Sequence, residues 1–364
     1  MTQVPVELWK VIWQLATGKA WPPAGPEGVT NFYEYANREM LLPLLMVAEG
    51  LPAEIAEARG RYRAFEAIYR KRYELTHAAI PTIQRVIGAD TFVFLKGGDY
   101  CHRLYDRPDL RPMTDLDLLV PTAVFTQTLA AFAAAGYPQK RGNHGSPFSP
   151  DHHEASVLVC NVHVEVHRSL AQPARAAISY GELWDRRETF TADGIKAQRP
   201  SHPDAILLQA YELAKDEFSS PLIRYVDFLL LVLREPCVLP LCVERARSWQ
   251  IERPLFGALF VTSQLLPSFA VPQVTEAMEA LLTPRLRSFL RRHVLPDRSR
   301  EHSAYPFGRL EQLRRKFMLM DNAWRRLRFL GFATQQEVKG SWYEWRARRA
   351  GEQLPPRWSR PPRS

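Results

Sequence analysis

The fold of this chain is indicated by residues 95–120, LKGGDYCHRLYDRPDLRPMTDLDLLV. It begins at the end of TFVFL (91–95), a short apolar run that is typical of a β-strand. It closes with LDLLVP (116–121), a second predicted strand, and residues 99–106 between the two predict the start of a helix. The order strand, glycine pair, helix and strand therefore predicts a small sheet with helices packed beside it.

Two aspartates, Asp115 and Asp117, lie one residue apart at the second strand. Side chains at i and i+2 of a strand point to the same face, so both carboxylates project together while Leu116 and Leu118 face the core. Neighbouring carboxylates repel and raise each other's pKa unless a cation lies between them. Oxygen ligands held in this way suit Mg²⁺ and the phosphate oxygens of a substrate. A DxD at a strand end also caps turns or binds an arginine, and the pair alone leaves both interpretations open.

The glycine pair, Gly97 and Gly98, favours the metal and nucleotide interpretation. Small residues between a strand and a helix let backbone N–H groups approach a phosphate, and a helix N-terminus attracts anions. Neither GxxxxGK[ST] nor GxGxxG occurs, and most glycine pairs are only turns. Lys96 either contacts a nucleotide phosphate or is solvated at the turn. Arg111 either pairs with a catalytic carboxylate or a phosphate, or holds its loop.

A third strand is predicted over SVLVCNVHVEVHRSL (156–170), which alternates apolar and polar residues. His163, Glu165 and His167 would share one face, so Glu165 supplies a third carboxylate. Three carboxylates and two Mg²⁺ ions are what nucleotidyl transfer needs, with the third carboxylate orienting or accepting the acceptor's proton. His163 and His167 would lie roughly 13 Å apart. That is too far to ligate one zinc ion, and both are interpreted as half-exposed strand residues or substrate contacts.

Together these motifs resemble the uncharacterised nucleotidyltransferase family of the DNA polymerase beta-like superfamily, over about residues 90–235. The matching residues are Leu95, Lys96, Gly97, Tyr105, Arg111, Pro112, Met113, Asp115, Asp117, Glu165 and His167. Glu165 stands where the family more commonly has Asp, and Arg168 stands where an aromatic residue is usual. LIRYVDFLLLV, with Asp227, resembles a later helix of the family.

The resemblance implies an α+β fold with a polymerase-beta-like core, a small mixed sheet with flanking helices, and N- and C-terminal helical regions. It implies transfer of a nucleoside monophosphate from an NTP to an acceptor hydroxyl on a small molecule or peptide, in settings that include natural-product biosynthesis. The implied catalytic and metal-binding residues, for two Mg²⁺ ions, are Asp115, Asp117 and Glu165. The implied nucleotide-binding residues are Lys96, Gly97, Gly98 and Arg111.

Two alternatives stay open. Residues 284–364 carry 20 Lys and Arg against 7 Asp and Glu, whereas the rest of the chain carries 28 against 32. Such a basic region attracts polyanions, so a toxin-like transferase acting on tRNA is one alternative. A solvated arginine-rich helical surface with a loose tail is the simpler explanation of the charge. The other is a degenerate site in a non-enzymatic binding partner. It draws on AYELAK, which has Glu212 and Lys215, interpreted as a solvated pair, where the family often carries histidines. Asp227 is expected to pair with Arg224, three residues earlier on one helix.

Composition predicts a globular protein, with 24% charged and 46% hydrophobic residues among 364. No secretory signal or membrane-spanning apolar run is recognised, and the four cysteines lack CxxC spacing, so a cytoplasmic protein with reduced thiols and no structural zinc is expected. The expected divisions are an N-terminal helical region (1–88), a nucleotidyltransferase core (89–200), a C-terminal helical region (201–350) and a disordered basic tail (351–364).

Overall fold

The structure of the protein, a computed structural model, is an α+β fold, as predicted. It describes residues 8–11, 14, 21, 25–139, 154–170, 175–266, 269, 271–281, 283–295 and 309–331. The predicted tail over 351–364 lies outside the described residues, and the predicted domain divisions stay a prediction.

The N-terminal part is helical. Its helices are α1 (Gly25–Arg38), α2 (Leu42–Val47), α3 (Ala53–Ala58) and α4 (Arg63–Ile87). The proline and glycine content of WPPAGPEG (21–28) predicts a loop, but the chain is helical from Gly25 onward, where α1 begins. The spacing of apolar residues over 53–80 predicts one long amphipathic helix, but a 3₁₀ turn, Arg59–Tyr62, interrupts it. Glycine is a poor helix former, and Gly60 lies in this turn.

A four-stranded mixed sheet forms the centre of the described chain. Its strands are β1 (Val93–Phe94), β2 (Leu116–Leu119), β3 (Glu154–Val159) and β4 (Val162–His167), and between them lie α5 (Lys96–Leu104) and α6 (Phe125–Ala134). The strand order is β1-β2-β4-β3. β2 and β4 are parallel, whereas β1 with β2 and β3 with β4 are antiparallel. The predicted small mixed sheet with flanking helices is therefore confirmed.

The prediction of one strand over 156–170 was wrong, because this segment is a hairpin of β3 and β4. Cys160 and Asn161 connect the strands with φ of +49° and +64°. Two-residue hairpin loops often place both residues at positive φ, and Asn tolerates that conformation well. Val159 and Val162 lie three residues apart, and this break in the period of two marks the turn.

A second hairpin and a set of helices complete the described chain. The hairpin, which sequence analysis did not identify, pairs β5 (Glu188–Ala192) with β6 (Ile195–Arg199). The helices are α7 (Tyr180–Asp185), α8 (His202–Lys215), α9 (Leu222–Arg234), α10 (Leu239–Trp249), α11 (Glu252–Leu265), α12 (Pro272–Ala280), α13 (Pro284–Phe289) and α14 (Arg309–Met318). The helical prediction from residue 203 onward is confirmed for the described residues.

The sheet separates two apolar cores. Leu116 and Leu118 pack on one side, in a core that includes side chains of α4 and α6. Leu119 packs on the other side, in a larger core that includes α8 and α9. Each fully buried leucine contributes about 1.5–3 kcal/mol relative to an exposed one. Because side chains along β2 alternate between the two faces of the sheet, Asp117 must point to the side of α8 and α9.

Candidate active site

Strand pairing brings two of the predicted carboxylates together. In the parallel pair β2 and β4, Asp117 lies directly opposite Glu165. Residues opposite each other in a ladder project to the same face of the sheet. Asp117 is buried, whereas the Glu165 side chain is 29% exposed. The two carboxylates therefore form one group that is closed on the Asp117 side and open on the Glu165 side.

Asp117 is held by two cationic partners. The Lys96 ammonium and His167 Nε2 each lie 2.8 Å from its Oδ1 atom. Burial alone would raise the pKa of Asp117, but Lys96 and His167 hold it well below its usual range. The carboxylate is therefore ionised at neutral pH, which is the form that a metal ion binds.

His167 belongs to this group, and the expectation that it is half-exposed was wrong. Its side chain is 1% exposed, whereas His163, four residues earlier, is exposed. Its Nε2 atom also lies 3.5 Å from Glu165, and its Nδ1 atom lies 3.4 Å from Glu154. Burial would lower the pKa of His167, but its bonds to Asp117 and Glu165 raise it to about 9. In the described arrangement the imidazole therefore serves as a second positive charge on Asp117.

Asp115 lies one residue before β2 and is half-buried. The Thr114 hydroxyl donates a hydrogen bond of 3.1 Å to its Oδ1 atom. Burial, followed by the like charges of Asp117 and Glu165, raises the pKa of Asp115. Such mutual repulsion was predicted for the aspartate pair, and it favours binding of a cation.

The glycine pair lies in the first turn of α5, since that helix begins at Lys96 rather than at the predicted residue 99. A Cβ atom on Gly97 would lie 2.7 Å from Met113 Cγ, and one on Gly98 would lie 2.9 Å from Leu116 Cδ1. Real Cβ atoms do not approach other atoms so closely. The pair therefore lets the start of α5 pack directly against β2 and the residues before it.

Glu212 contributes a carboxylate that sequence analysis interpreted wrongly as half of a solvated pair. It is 3% exposed, and its carboxylate accepts hydrogen bonds of 3.1 and 3.3 Å from the Lys215 ammonium. Its Oε2 atom also lies 3.6 Å from the Lys96 ammonium. Burial would raise the pKa of Glu212, but Lys96 and Lys215 lower it to about 2. The signal in the sequence was the apolar surrounding ILLQAYELA, because a glutamate in a helix that is apolar on all sides must be paired.

Arg111 is buried and forms an ion pair with Asp227, which lies on α9. Its Nε and Nη2 atoms donate hydrogen bonds of 3.0 and 2.7 Å to Asp227 Oδ2, and the Tyr105 hydroxyl donates one of 2.8 Å to Oδ1. The expected pairing of Asp227 with Arg224 was wrong, because Arg224 bonds Asp216 at 2.6 Å instead. Arg111 thus holds its loop through a carboxylate, which was one of its two predicted roles.

A small cavity lies between the sheet and the helices. Five predicted site residues line it, namely Lys96, Gly97, Arg111, Asp115 and Asp117, whereas Gly98 and Glu165 do not. The remaining lining residues are Met40, Met113, Thr114, Gln209, Glu212, Ile223 and Arg224. The enclosed volume is about 60 Å³, whereas ligand pockets usually measure roughly 300–1,000 Å³. A nucleotide would therefore need these side chains to move, or would lie mostly outside the cavity.

The donor atoms fit a divalent metal ion. The Asp117 and Glu165 carboxylates lie within 4.8 Å of each other and of a ring nitrogen of His167, which would be a ligand only in its neutral form. Carboxylate oxygens are the ligands that Mg²⁺ prefers, and Asp115 adds another beside them. Lys96 and His167 already bond Asp117, so a metal ion must compete with both. The residues are therefore compatible with a metal ion.

Comparison with known proteins agrees with this geometry. The model of a family described as "uncharacterised nucleotidyltransferase" matches residues 26–267, about two thirds of the chain. No curated protein matches the chain. Among the described helices, none is both long and apolar enough to cross a membrane. The match extends beyond the resemblance seen over 90–235 and takes in α1 to α4 as well as the helices up to α11. The chain therefore belongs to this family of uncharacterised nucleotidyltransferases.

Proposed function

We propose that the protein is an Mg²⁺-dependent enzyme that transfers a nucleoside monophosphate from an NTP to an acceptor hydroxyl on a small molecule or peptide, with natural-product biosynthesis as its setting. The observation that carries the proposal is the register of β2 on β4, which sets Asp117 opposite Glu165 with His167 in contact with both. Asp117 and Glu165 on neighbouring strands, with Asp115 one residue before β2, supply the carboxylates that two metal ions require in phosphoryl transfer.

The proposed metal ligands are Asp115, Asp117 and Glu165. Metal ions held there would neutralise charge on the phosphates and polarise the α-phosphorus. The Glu165 side chain is 29% exposed and that of Asp117 is 4% exposed, so we assign Glu165 the acceptor's proton. The acceptor oxygen would form a bond to the α-phosphorus, the bond between the α-phosphorus and the bridging oxygen would break, and pyrophosphate would leave.

The proposed nucleotide-binding residues are Lys96, Gly97, Gly98 and Arg111. Lys96 and Gly97 line the cavity at the N-terminus of α5, where backbone N–H groups favour anions. Because the Arg111 guanidinium is bonded to Asp227, we propose that it serves the triphosphate by holding the wall beside Gly97. Its Nη1 atom would lie 3.2 Å from a Cβ at that glycine.

The test is a thermal-shift titration with each of the four NTPs, with and without Mg²⁺. The proteins are the wild type, Glu165→Gln and the double variant Asp115→Ala/Asp117→Ala. A ligand at about a hundred times its Kd adds about 2.7 kcal/mol of stability. We expect a shift that needs Mg²⁺, depends on the base, and is lost in both variants. The matched control is Asp185→Asn, at an exposed position on α7, which should retain the shift.

The same preparations then test the acceptor. The wild type is incubated with the NTP that binds, labelled at the α-phosphate, and with separate pools of small molecules, peptides and RNA. Label in the small-molecule or peptide pool, absent with Glu165→Gln, supports the proposal, whereas label in RNA alone would replace its acceptor. A folded wild type that no nucleotide stabilises, or variants that respond like the wild type, would refute nucleotide binding at these residues.

A further inference from the structure

The Lys96 ammonium lies between two buried carboxylates that come from opposite sides of the cavity. It is 2.8 Å from Asp117 Oδ1 on β2 and 3.6 Å from Glu212 Oε2 on α8. Both carboxylate side chains are 4% exposed, and that of Lys96 is 18% exposed. Buried carboxylates without a cationic partner are strongly destabilising. One ammonium group therefore serves two carboxylates, and its shorter contact is with Asp117.

The backbone at Lys96 supports a specific role for this side chain. Its φ is +47°, in a region that residues other than glycine seldom adopt. Such conformations persist where surrounding contacts hold them, and they cluster at functional sites. Glycine would adopt this conformation without strain, and the next two residues are glycines. A lysine at this position is explained by the contacts that its ammonium makes.

A divalent cation on Asp117 would change those contacts. Lys96 and His167 both contact Oδ1 of Asp117, so a metal ion that binds this carboxylate competes with them. Two positive charges a few ångströms apart repel, most strongly where water is excluded. Glu212 Oε2 is already 3.6 Å from the Lys96 ammonium. It is the buried carboxylate to which the ammonium can turn with the smallest movement.

We propose that Glu212 is a positioning residue for Lys96: it takes over the ammonium when a divalent cation binds Asp117, and so keeps a positive charge beside the triphosphate site. This inference rests on the proposed function, because it requires a metal ion on Asp117. Lys215 bonds the same Glu212 carboxylate at 3.1 Å, whereas the described cationic partners of Asp117 are Lys96 and His167. The ammonium of Lys96 thus has two alternative carboxylate partners.

The test measures the affinity for Mn²⁺ alone, by titration followed with electron paramagnetic resonance of the free ion. The proteins are the wild type, Lys96→Met, Glu212→Gln and the double variant, with Lys215→Met as the matched lysine control. Loss of a charged hydrogen bond that competes with the metal should make Lys96→Met bind Mn²⁺ about tenfold more tightly. Glu212→Gln should bind it about tenfold more weakly, because Lys96 then has only Asp117. Lys215→Met should differ from the wild type by no more than about threefold.

The double variant separates positioning from general electrostatics. If Glu212 acts through Lys96, the double variant should bind Mn²⁺ as tightly as Lys96→Met alone. An equal weakening by Glu212→Gln with and without Lys96 would overturn the inference, because the carboxylate would then act directly on the metal. Unchanged affinity in Lys96→Met would overturn it as well, and this readout stands even if the Glu212 variants do not fold. A wild type that binds no Mn²⁺ would instead overturn the proposed metal site.

Discussion

Replacing Asp227 by asparagine should reduce the free energy of unfolding by about 3–5 kcal/mol, since it removes the charge that compensates a buried guanidinium. The Arg111 side chain is 8% exposed and that of Asp227 is 0% exposed. Two guanidinium nitrogens and the Tyr105 hydroxyl bond this carboxylate. Asparagine has nearly the same shape, so the loss is one of charge rather than of packing.

The contacts also set the size of the control variants. Tyr105→Phe removes one hydrogen bond to a charged group and should cost about 1.5–3 kcal/mol. The paired change Arg111→Met/Asp227→Leu removes both charges at once. Because well-packed apolar residues often replace a buried ion pair without loss, it should be much less destabilising than Asp227→Asn alone.

Urea unfolding followed by tryptophan fluorescence measures these differences. With an m value of about 3 kcal/mol/M, the midpoint for Asp227→Asn should fall by about 1 M or more. A loss below about 1 kcal/mol would show that the Arg111–Asp227 pair behaves like a solvated surface pair. A paired variant that is less stable than Asp227→Asn would equally refute the reasoning.

Two further changes test the packing and the charges of the site. Gly98→Ala should lower the free energy of unfolding in urea by about 1–3 kcal/mol, because its Cβ would lie 2.9 Å from Leu116. In the control Gly60→Ala a Cβ meets no atom within 4 Å, so stability should change by no more than about 1 kcal/mol. Equal effects of the two changes would contradict this account. The pKa of Glu212 is lowered from 4.5 to about 2 despite its burial, so its contribution is complete above pH 4.5 and is lost as the pH falls towards 2. Glu212→Gln should remove about 2 kcal/mol of that acid-dependent loss, measured by urea unfolding between pH 5 and 3. An unchanged pH dependence would refute this account.

The partners of Asp227 and Arg224 were predicted wrongly from the sequence. Arg224 lies one helical turn from Asp227, so the sequence favours a local pair. In the fold, Asp227 instead meets Arg111, which is 116 residues away along the chain. Arg224 bonds Asp216, where both side chains are 31% exposed. Burial of a guanidinium requires a carboxylate at that point, and only the packing of α9 against the segment before β2 provides it.

Local sequence patterns were sufficient to predict the α+β class, the family and the face of β2 that carries Asp117. Strand alternation does this because side chains two residues apart share a face wherever the strand is placed. The glycine pair was likewise visible, although its steric role against Met113 and Leu116 was not.

The groups that contact Asp117 depend on the tertiary structure. The parallel pairing of β2 with β4 sets Glu165 opposite it, and the position of α8 brings Glu212 to Lys96. A local pattern fixes the face of the strand or helix on which a side chain lies. It does not determine which distant segment packs against that face. A buried charge then requires a partner from whichever distant element packs against it.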